Sequence, residues 1–202
     1  MLDKLSAIAV DKGVQPVIVC TKGDLAEAEF LRSAYEKSTL PFIRIDYATG
    51  EGLDDIKHWI NGRLCAFCGN SGVGKSTLLN LLVPELELAT GETSKKLGRG
   101  RHTTRHVELY PVEGGYVADT PGFSTMDIER YELFRKEELP VGFREFAPYL
   151  GECRFTSCSH TCEKGCAVLK AVEEGKISRS RIDSYIAMYN EVKLSLIHIS
   201  EP

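Results

Sequence analysis

The run Gly69-Asn-Ser-Gly-Val-Gly-Lys-Ser-Thr77 constrains this chain more than any other stretch. It fits the pattern G-x-x-x-x-G-K-[S/T], with Gly69, Gly74, Lys75 and Ser76 at the fixed positions. The apolar run Leu64-Cys-Ala-Phe-Cys68 before it reads as a buried parallel strand. Ser76-Thr-Leu-Leu-Asn-Leu-Leu82 after it is a strong helix former. A glycine-rich turn from strand to helix aims successive backbone N–H groups, and the helix N-terminus, at a bound anion. Glycine is needed because side chains would stop the backbone from closing on phosphates. The expected contacts to a nucleoside triphosphate are Gly69, Asn70, Ser71, Gly72, Val73, Gly74, Lys75, Ser76 and Thr77. Lys75 would reach the β- and γ-phosphates, and the Ser76 hydroxyl would ligate Mg²⁺.

The flanking sequence alternates strands and helices. Val14-Gln-Pro-Val-Ile-Val-Cys20 reads as a strand ending in Thr21-Lys-Gly-Asp24, and Leu25, Ala28, Phe30, Leu31 and Tyr35 mark a helix after it. Pro41-Phe-Ile-Arg-Ile45 is a second strand, and Leu53 to Ile60 a second helix. Residues 1–10 resemble part of a further helix, with Leu2, Leu5, Ile8 and Ala9 on one face. Such alternation predicts an α/β fold, with a mostly parallel sheet covered by helices on both faces. Further on, Thr90 to Arg105 reads as a loop, and His106–Tyr110 with Gly115–Asp119 as a hairpin. Glu129 to Glu138 reads as a charged surface helix, and Ala167–Glu174 and Arg179–Glu191 as terminal helices.

Charge and cysteine usage narrow the class. A net charge of -4 gives no overall field toward nucleic acid, so any such contact is a local patch. No apolar run approaches the roughly 20 residues of a membrane span. The N-terminus lacks the layout of a signal peptide, so the cytoplasm is the expected compartment. Cys20, Cys65 and Cys68 read as small buried hydrophobes. Cys153, Cys158, Cys162 and Cys166 crowd around His160, which in a reducing compartment points to a metal site rather than disulfides.

Asp119-Thr-Pro-Gly122 has the form D-x-x-G at a strand end, where the carboxylate would hold Mg²⁺ through water and the Gly122 N–H would meet the γ-phosphate. Thr103 and Thr104 stand where a switch loop would bring a hydroxyl to Mg²⁺, Thr104 being the expected ligand. Thr21-Lys-Gly-Asp24 resembles the guanine-reading N-K-x-D motif. The Asp24 carboxylate would accept from the ring N–H and the exocyclic amine of guanine, a donor pair that adenine lacks. Lys22 would lay its stem along the base. Thr21 stands in place of the usual Asn, and Asp46-Tyr47-Ala48 in place of the usual Ser-Ala-Lys of the base loop.

The order of these motifs is informative. The base-reading motif precedes the phosphate loop, and D-x-x-G follows it, so the usual GTPase sheet can form only if the chain is circularly permuted. This order, with Gly98-Arg-Gly-Arg-His-Thr-Thr104, resembles the RsgA (YjeQ) family of circularly permuted GTPases, which act in assembly of the small ribosomal subunit. Cys153-x4-Cys158-x-His160-x5-Cys166 matches that family's structural zinc unit, with Cys162 able to substitute for His160. The resemblance covers roughly residues 10 to 193.

It implies a P-loop GTPase fold, circularly permuted, in residues 1–139, and a small helical zinc-binding domain in 140–193. Residues 194–202 resemble a foreign tail, and the resemblance implies a fragment without the family's N-terminal OB-type domain. The implied activity is GTP hydrolysis coupled to late maturation of the small subunit, with rRNA binding, by a monomer that binds GTP and GDP. Phe123 occupies the position of the water-orienting Gln of Ras-like enzymes, so His102 is the candidate catalytic residue. Arg99, Arg101 and Arg105, and Lys176, Arg179 and Arg181, are candidate phosphate contacts on GTP or rRNA. The rival readings are a non-catalytic zinc-stapled RNA-binding fragment and a P-loop ATPase.

Overall fold

A computed structural model describes residues 1–21, 27–70, 72–86, 108–119 and 135–199. Six helices and five strands occur among them. In chain order they are α1 Leu2–Asp11, β1 Ile18–Cys20, α2 Glu27–Glu36, β2 Phe42–Arg44, α3 Leu53–Ile60, β3 Leu64–Ala66, α4 Lys75–Leu82, β4 Glu108–Val112, β5 Gly115–Asp119, α5 Ala167–Glu173 and α6 Arg179–Ile199. The helices fall where apolar residues recur at helical spacing. β1, β2 and β3 are shorter than the apolar runs that signal them, whereas β5 matches its run Gly115–Asp119.

β1 pairs with β2, and β3, β5 and β4 form a second sheet in that order. The bonds Ile18 N to Pro41 O and Ile45 N to Cys20 O advance together along β1 and β2, as parallel neighbours do. β3 and β5 are also parallel, with Leu64 opposite Tyr116. β4 and β5 are antiparallel, with Val112 opposite Gly115. That hairpin closes on Glu113 and Gly114, whose φ angles of 45° and 79° are those of a type I′ turn, the form that matches strand twist.

The chain divides into two compact units. One comprises Met1–Ile18, Leu25–Phe42 and Tyr131–Pro202, the other Val19–Asp24 and Ile43–Arg130. In the first unit, Leu139, Phe143, Phe146, Val168, Ile177, Ile182 and Tyr185 are almost fully buried. Phe146 comes from the short 3₁₀ turn Arg144–Tyr149, and Phe143 caps the junction between it and another, Leu139–Gly142; neither turn has the spacing that marks a helix in sequence. Their rings meet Tyr185 of α6 edge-on, with centroids 5.4 and 5.1 Å away. A second cluster joins Ile18, Ala34, Tyr35 and Leu40.

In the second unit, Ile56 and Ile60 of α3, Leu78, Leu79 and Leu82 of α4, and Val112 and Val117 of the hairpin are buried. Gly115 starts β5 so close to the end of α3 that a Cβ there would stand 2.0 Å from the Ile60 carbonyl oxygen.

Three expectations are corrected. β3 is a parallel strand but not a buried one, because Leu64 is 68 % exposed. Its partner Tyr116 on β5 is exposed, as is Leu109 on β4, so apolar content alone does not report burial on both faces. Cys68 is exposed, not a buried hydrophobe. Residues 136–138 form a turn rather than the end of a helix, while residues 129–134 lie outside the described residues. The α6 backbone also runs through 194–199 without interruption.

Candidate functional site

The phosphate loop is built from its glycines. Gly69, Gly72 and Gly74 have φ of 151°, 81° and 96°, conformations that L side chains rarely adopt. Gly74 is the N-cap of α4 and offers no side chain to the first-turn N–H groups. Such donors at a helix start, with the partial positive charge there, suit an anion. Lys75 folds back over the loop, its Nζ donating to the carbonyls of Gly69 at 2.7 Å and Asn70 at 2.8 Å. The ammonium is thereby held over the loop.

Two other segments are tied to this loop within the same unit. The Thr21 hydroxyl donates to the Val73 carbonyl at 2.7 Å. The Tyr47 hydroxyl donates to the Gly74 carbonyl at 3.0 Å. Tyr47 opens a tight loop that Asp46 organises: its Oδ1 accepts from Ala48 N at 2.8 Å and Thr49 N at 3.3 Å. Those two backbone donors hold the Asp46 carboxyl below its ordinary range. This is how the loop is built without Ser-Ala-Lys. Sequence reading marked Tyr47 only as a departure, because nothing in the chain order shows that residues 47 and 74 are neighbours.

Of the other expected nucleotide contacts, Asp119 ends β5, its backbone paired with Glu108. Ser76 and Thr77 lie in the first turns of α4. Lys22, Asp24, Ser71, His102, Thr103, Thr104 and Gly122 lie outside the described residues, as do Arg99, Arg101 and Arg105.

The cysteine cluster converges in the first unit. One ligand atom each from Cys153, Cys158, His160 and Cys166 lies within 4.8 Å of all the others. His160 Nδ1 is 3.5 Å from Cys153 Sγ and 3.4 Å from Cys166 Sγ, and the two sulfurs are 3.9 Å apart. Zn–S bonds of about 2.3 Å and Zn–N bonds of about 2.0–2.1 Å put the corners of a tetrahedron about 3.5–3.8 Å apart, so the donor set fits zinc. His160 faces inward because its backbone turns at φ 58°, a conformation uncommon outside glycine.

Ala167 N donates to Cys153 Sγ at 3.3 Å and Leu169 N to Cys166 Sγ at 3.4 Å, both from the start of α5. Burial pushes the Cys158 thiol up to about 12, and raises Cys166 as well. A dication among the sulfurs reverses that preference by supplying the opposite charge. Cys162, the open alternative, is exposed and stands outside the four.

Glu163, which sequence reading passed over, braces the loop that carries His160. Its carboxylate accepts from the Ser159 hydroxyl, from Ser159 N at 2.9 Å, and from Thr161 N and Cys162 N at 3.1 and 3.2 Å. Burial opposes its charge, but these donors hold the group at about 2. The Tyr185 hydroxyl fastens the same loop to α6 through the Ser159 carbonyl at 2.7 Å.

One expected phosphate contact is corrected. Arg181 is 1 % exposed and its guanidinium is consumed by Glu145 and Asp3, so it cannot face RNA or GTP. Lys176 and Arg179 are exposed and paired with Glu174 and Asp183.

The sequence matches the RsgA GTPase family over residues 1–129. It is 44% identical over 197 residues to the small ribosomal subunit biogenesis GTPase RsgA of Caldanaerobacter subterraneus subsp. tengcongensis, covering 96% of this chain and 65% of that protein. It is 42% identical over 193 residues to the protein of the same name from Streptococcus pneumoniae, covering 96% and 64%. The chain thus spans just under two thirds of the length of these relatives. The structure aligns with that of YjeQ from Thermotoga maritima at a TM-score of 0.77 and 33% identity, over 94% of this chain and 64% of that one. It aligns with YloQ, a circularly permuted GTPase, at 0.73 and 31%, over 95% and 62%. The permuted order read from the motifs is therefore that of a known fold. This chain belongs to the RsgA GTPase family.

Proposed function

We propose that this chain binds and hydrolyses GTP in assembly of the small ribosomal subunit, acting as a cytoplasmic monomer that contacts rRNA. The observation that carries this reading is the hydrogen bond from Thr21 to Val73. It brings the start of the base-reading segment, which precedes the phosphate loop by some fifty residues of sequence, onto the loop itself. A nucleoside triphosphate then meets both from one side of the chain order to the other, as the permuted arrangement requires.

In this reading Lys75 and the N-terminal amides of α4 hold the β- and γ-phosphates. Lys22 and Asp24 select guanine over adenine. Ser76, Thr104 and, through water, Asp119 would hold Mg²⁺, which supplies charge neutralisation on the phosphate oxygens. Thr103 and the Gly122 N–H would sense the γ-phosphate, and His102 would orient the attacking water, Phe123 being unable to. Cys153, Cys158, His160 and Cys166 would hold one structural zinc, with no position open to a substrate. We place the GTPase domain at 1–139, the zinc-binding domain at 140–193, and a tail outside both at 194–202. Late timing in subunit maturation belongs to the same proposal.

The test is binding of GTP, GDP and ATP to the purified chain, then GTP hydrolysis with and without small ribosomal subunits. Guanine-selective binding with stimulation by the subunit is the expected result, and His102→Ala should abolish the stimulated rate. Equal binding of ATP would point to a P-loop ATPase. Subunit binding with no nucleotide binding would point to a non-catalytic fragment.

A further inference from the structure

Two successive carbonyls at the end of the phosphate loop, those of Val73 and Gly74, are each gripped by a hydroxyl from a different part of the chain. Thr21 takes the first at 2.7 Å and Tyr47 the second at 3.0 Å. The Gly74 carbonyl is also the first acceptor of α4, receiving Leu78 N at 2.9 Å. Tyr47 therefore holds the point at which loop becomes helix. Its ring lies over Gly74 so closely that a Cβ there would stand 2.7 Å from the Tyr47 oxygen and 3.2 Å from Cε2. Thr21 and Tyr47 also interact with each other, and Tyr47 is half-buried, which raises its phenol. From its other side, the loop that Tyr47 opens is locked by the Asp46 carboxylate on Ala48 N and Thr49 N.

We propose that Tyr47, together with Thr21, is a positioning residue for the nucleotide, fixing the separation between the base-reading segments and the phosphate loop through the carbonyls of Gly74 and Val73. The inference rests on the GTP-binding reading. A nucleotide spans a fixed length from base to phosphates, so both ends can be held at full strength only if the two protein segments keep that spacing before it arrives. Pre-setting the spacing removes an ordering cost from binding. In an N-K-x-D sequence, an Asn amide stands where Thr21 does. A threonine hydroxyl has a single donor, and here a second hydroxyl, from the base loop, supplies another. Neither group is placed to touch a reacting atom, so the effect falls on affinity and release rather than on the chemical step.

The experiment uses the full chain and four variants: Tyr47→Phe, Thr21→Val, Thr21→Ser and Tyr47→Phe with Thr21→Val. The readouts are binding and release of a fluorescent GDP analogue, KM and kcat for GTP, and thermal melting. Loss of one partly buried hydrogen bond predicts about three- to tenfold weaker GDP binding for Tyr47→Phe, through faster release. KM should rise by a similar factor, with kcat changed less than about twofold, while melting falls only by the few degrees that one such bond contributes to folding. Thr21→Val should behave alike, and Thr21→Ser should restore affinity. Should Tyr47→Phe not fold, the Thr21 pair decides the matter. Variants that bind as tightly as the parent overturn the inference and leave the GTP reading standing. So does a loss that falls on kcat rather than KM, or that serine does not rescue. A parent chain that binds no guanine nucleotide overturns the reading and the inference together.

Discussion

Arg181 and Glu145 form a two-point ion pair inside the core of the first unit, with Nε to Oε1 at 2.6 Å and Nη2 to Oε2 at 3.3 Å. The third face of the guanidinium donates to Asp3 of α1. Aromatic rings enclose the charge, the Phe143 centroid at 4.6 Å and the Tyr35 centroid at 5.2 Å from Cζ. One buried cation thus connects α1, α2, a 3₁₀ turn and α6. Both carboxylates raise the guanidinium further above its ordinary range, against the effect of burial.

Breaking this pair by one partner should be costly. Arg181→Met leaves Glu145 buried without its counter-charge, and the expected loss is about 3–5 kcal/mol of unfolding free energy. Adding Glu145→Leu to that variant should recover much of it, because the stranded charge is gone. Urea unfolding of the two variants measures the difference. Equal stabilities would mean that the pair is not coupled.

Asp3 gives the unit an acid-sensitive component. Burial opposes its charge, but the attraction of Arg181 and the hydrogen bonds from Ser184, Tyr35 and Arg181 outweigh it, so its carboxyl sits below the ordinary value of 3.8. A group with a lowered folded pKa contributes its stability in full above the unfolded value, and loses it as pH falls through the folded one. The stability difference between the parent chain and Asp3→Asn should therefore be flat above about pH 5 and shrink as the pH falls below about 4. A difference that grew on acidification would contradict this assignment.

The four-ligand cluster predicts one zinc per chain by metal analysis. Cys158→Ser should abolish it, while Cys162→Ser should keep full stoichiometry, since Cys162 is exposed and outside the cluster. Chelation should lower the melting temperature, because Cys166 and Val168 belong to the same buried core as Phe143 and Tyr185. Retention of zinc by Cys158→Ser with loss in Cys162→Ser would reverse the ligand set.

Glu163 should behave as a support of the zinc ligands rather than a ligand. Glu163→Ala removes the acceptor for three backbone N–H groups of the loop around His160. Zinc affinity, measured by competition with a chromogenic chelator, should fall about 10- to 100-fold. The stoichiometry at saturation should stay at one. A loss of stoichiometry would make Glu163 a ligand instead.

Local patterns in the sequence were enough to place the helices other than that expected over Glu129–Glu138, and also the glycine-rich turn, the hairpin and the four-ligand set, because each depends on residues close together in the chain. Glycines at Gly69, Gly72 and Gly74 state their own backbone geometry, and the order of the motifs states the permutation. The tertiary structure alone decided what distant residues do to one another. Arg181 looked like a surface cation until Asp3 and Glu145, far away in sequence, enclosed it. Tyr47 looked like a defect in a motif until its hydroxyl met Gly74. Leu64 and Cys68 looked buried because apolar composition was the only guide, whereas exposure depends on which neighbours cover a face. Periodicity and spacing record local geometry, while charge pairing and burial are set by contacts that the fold creates.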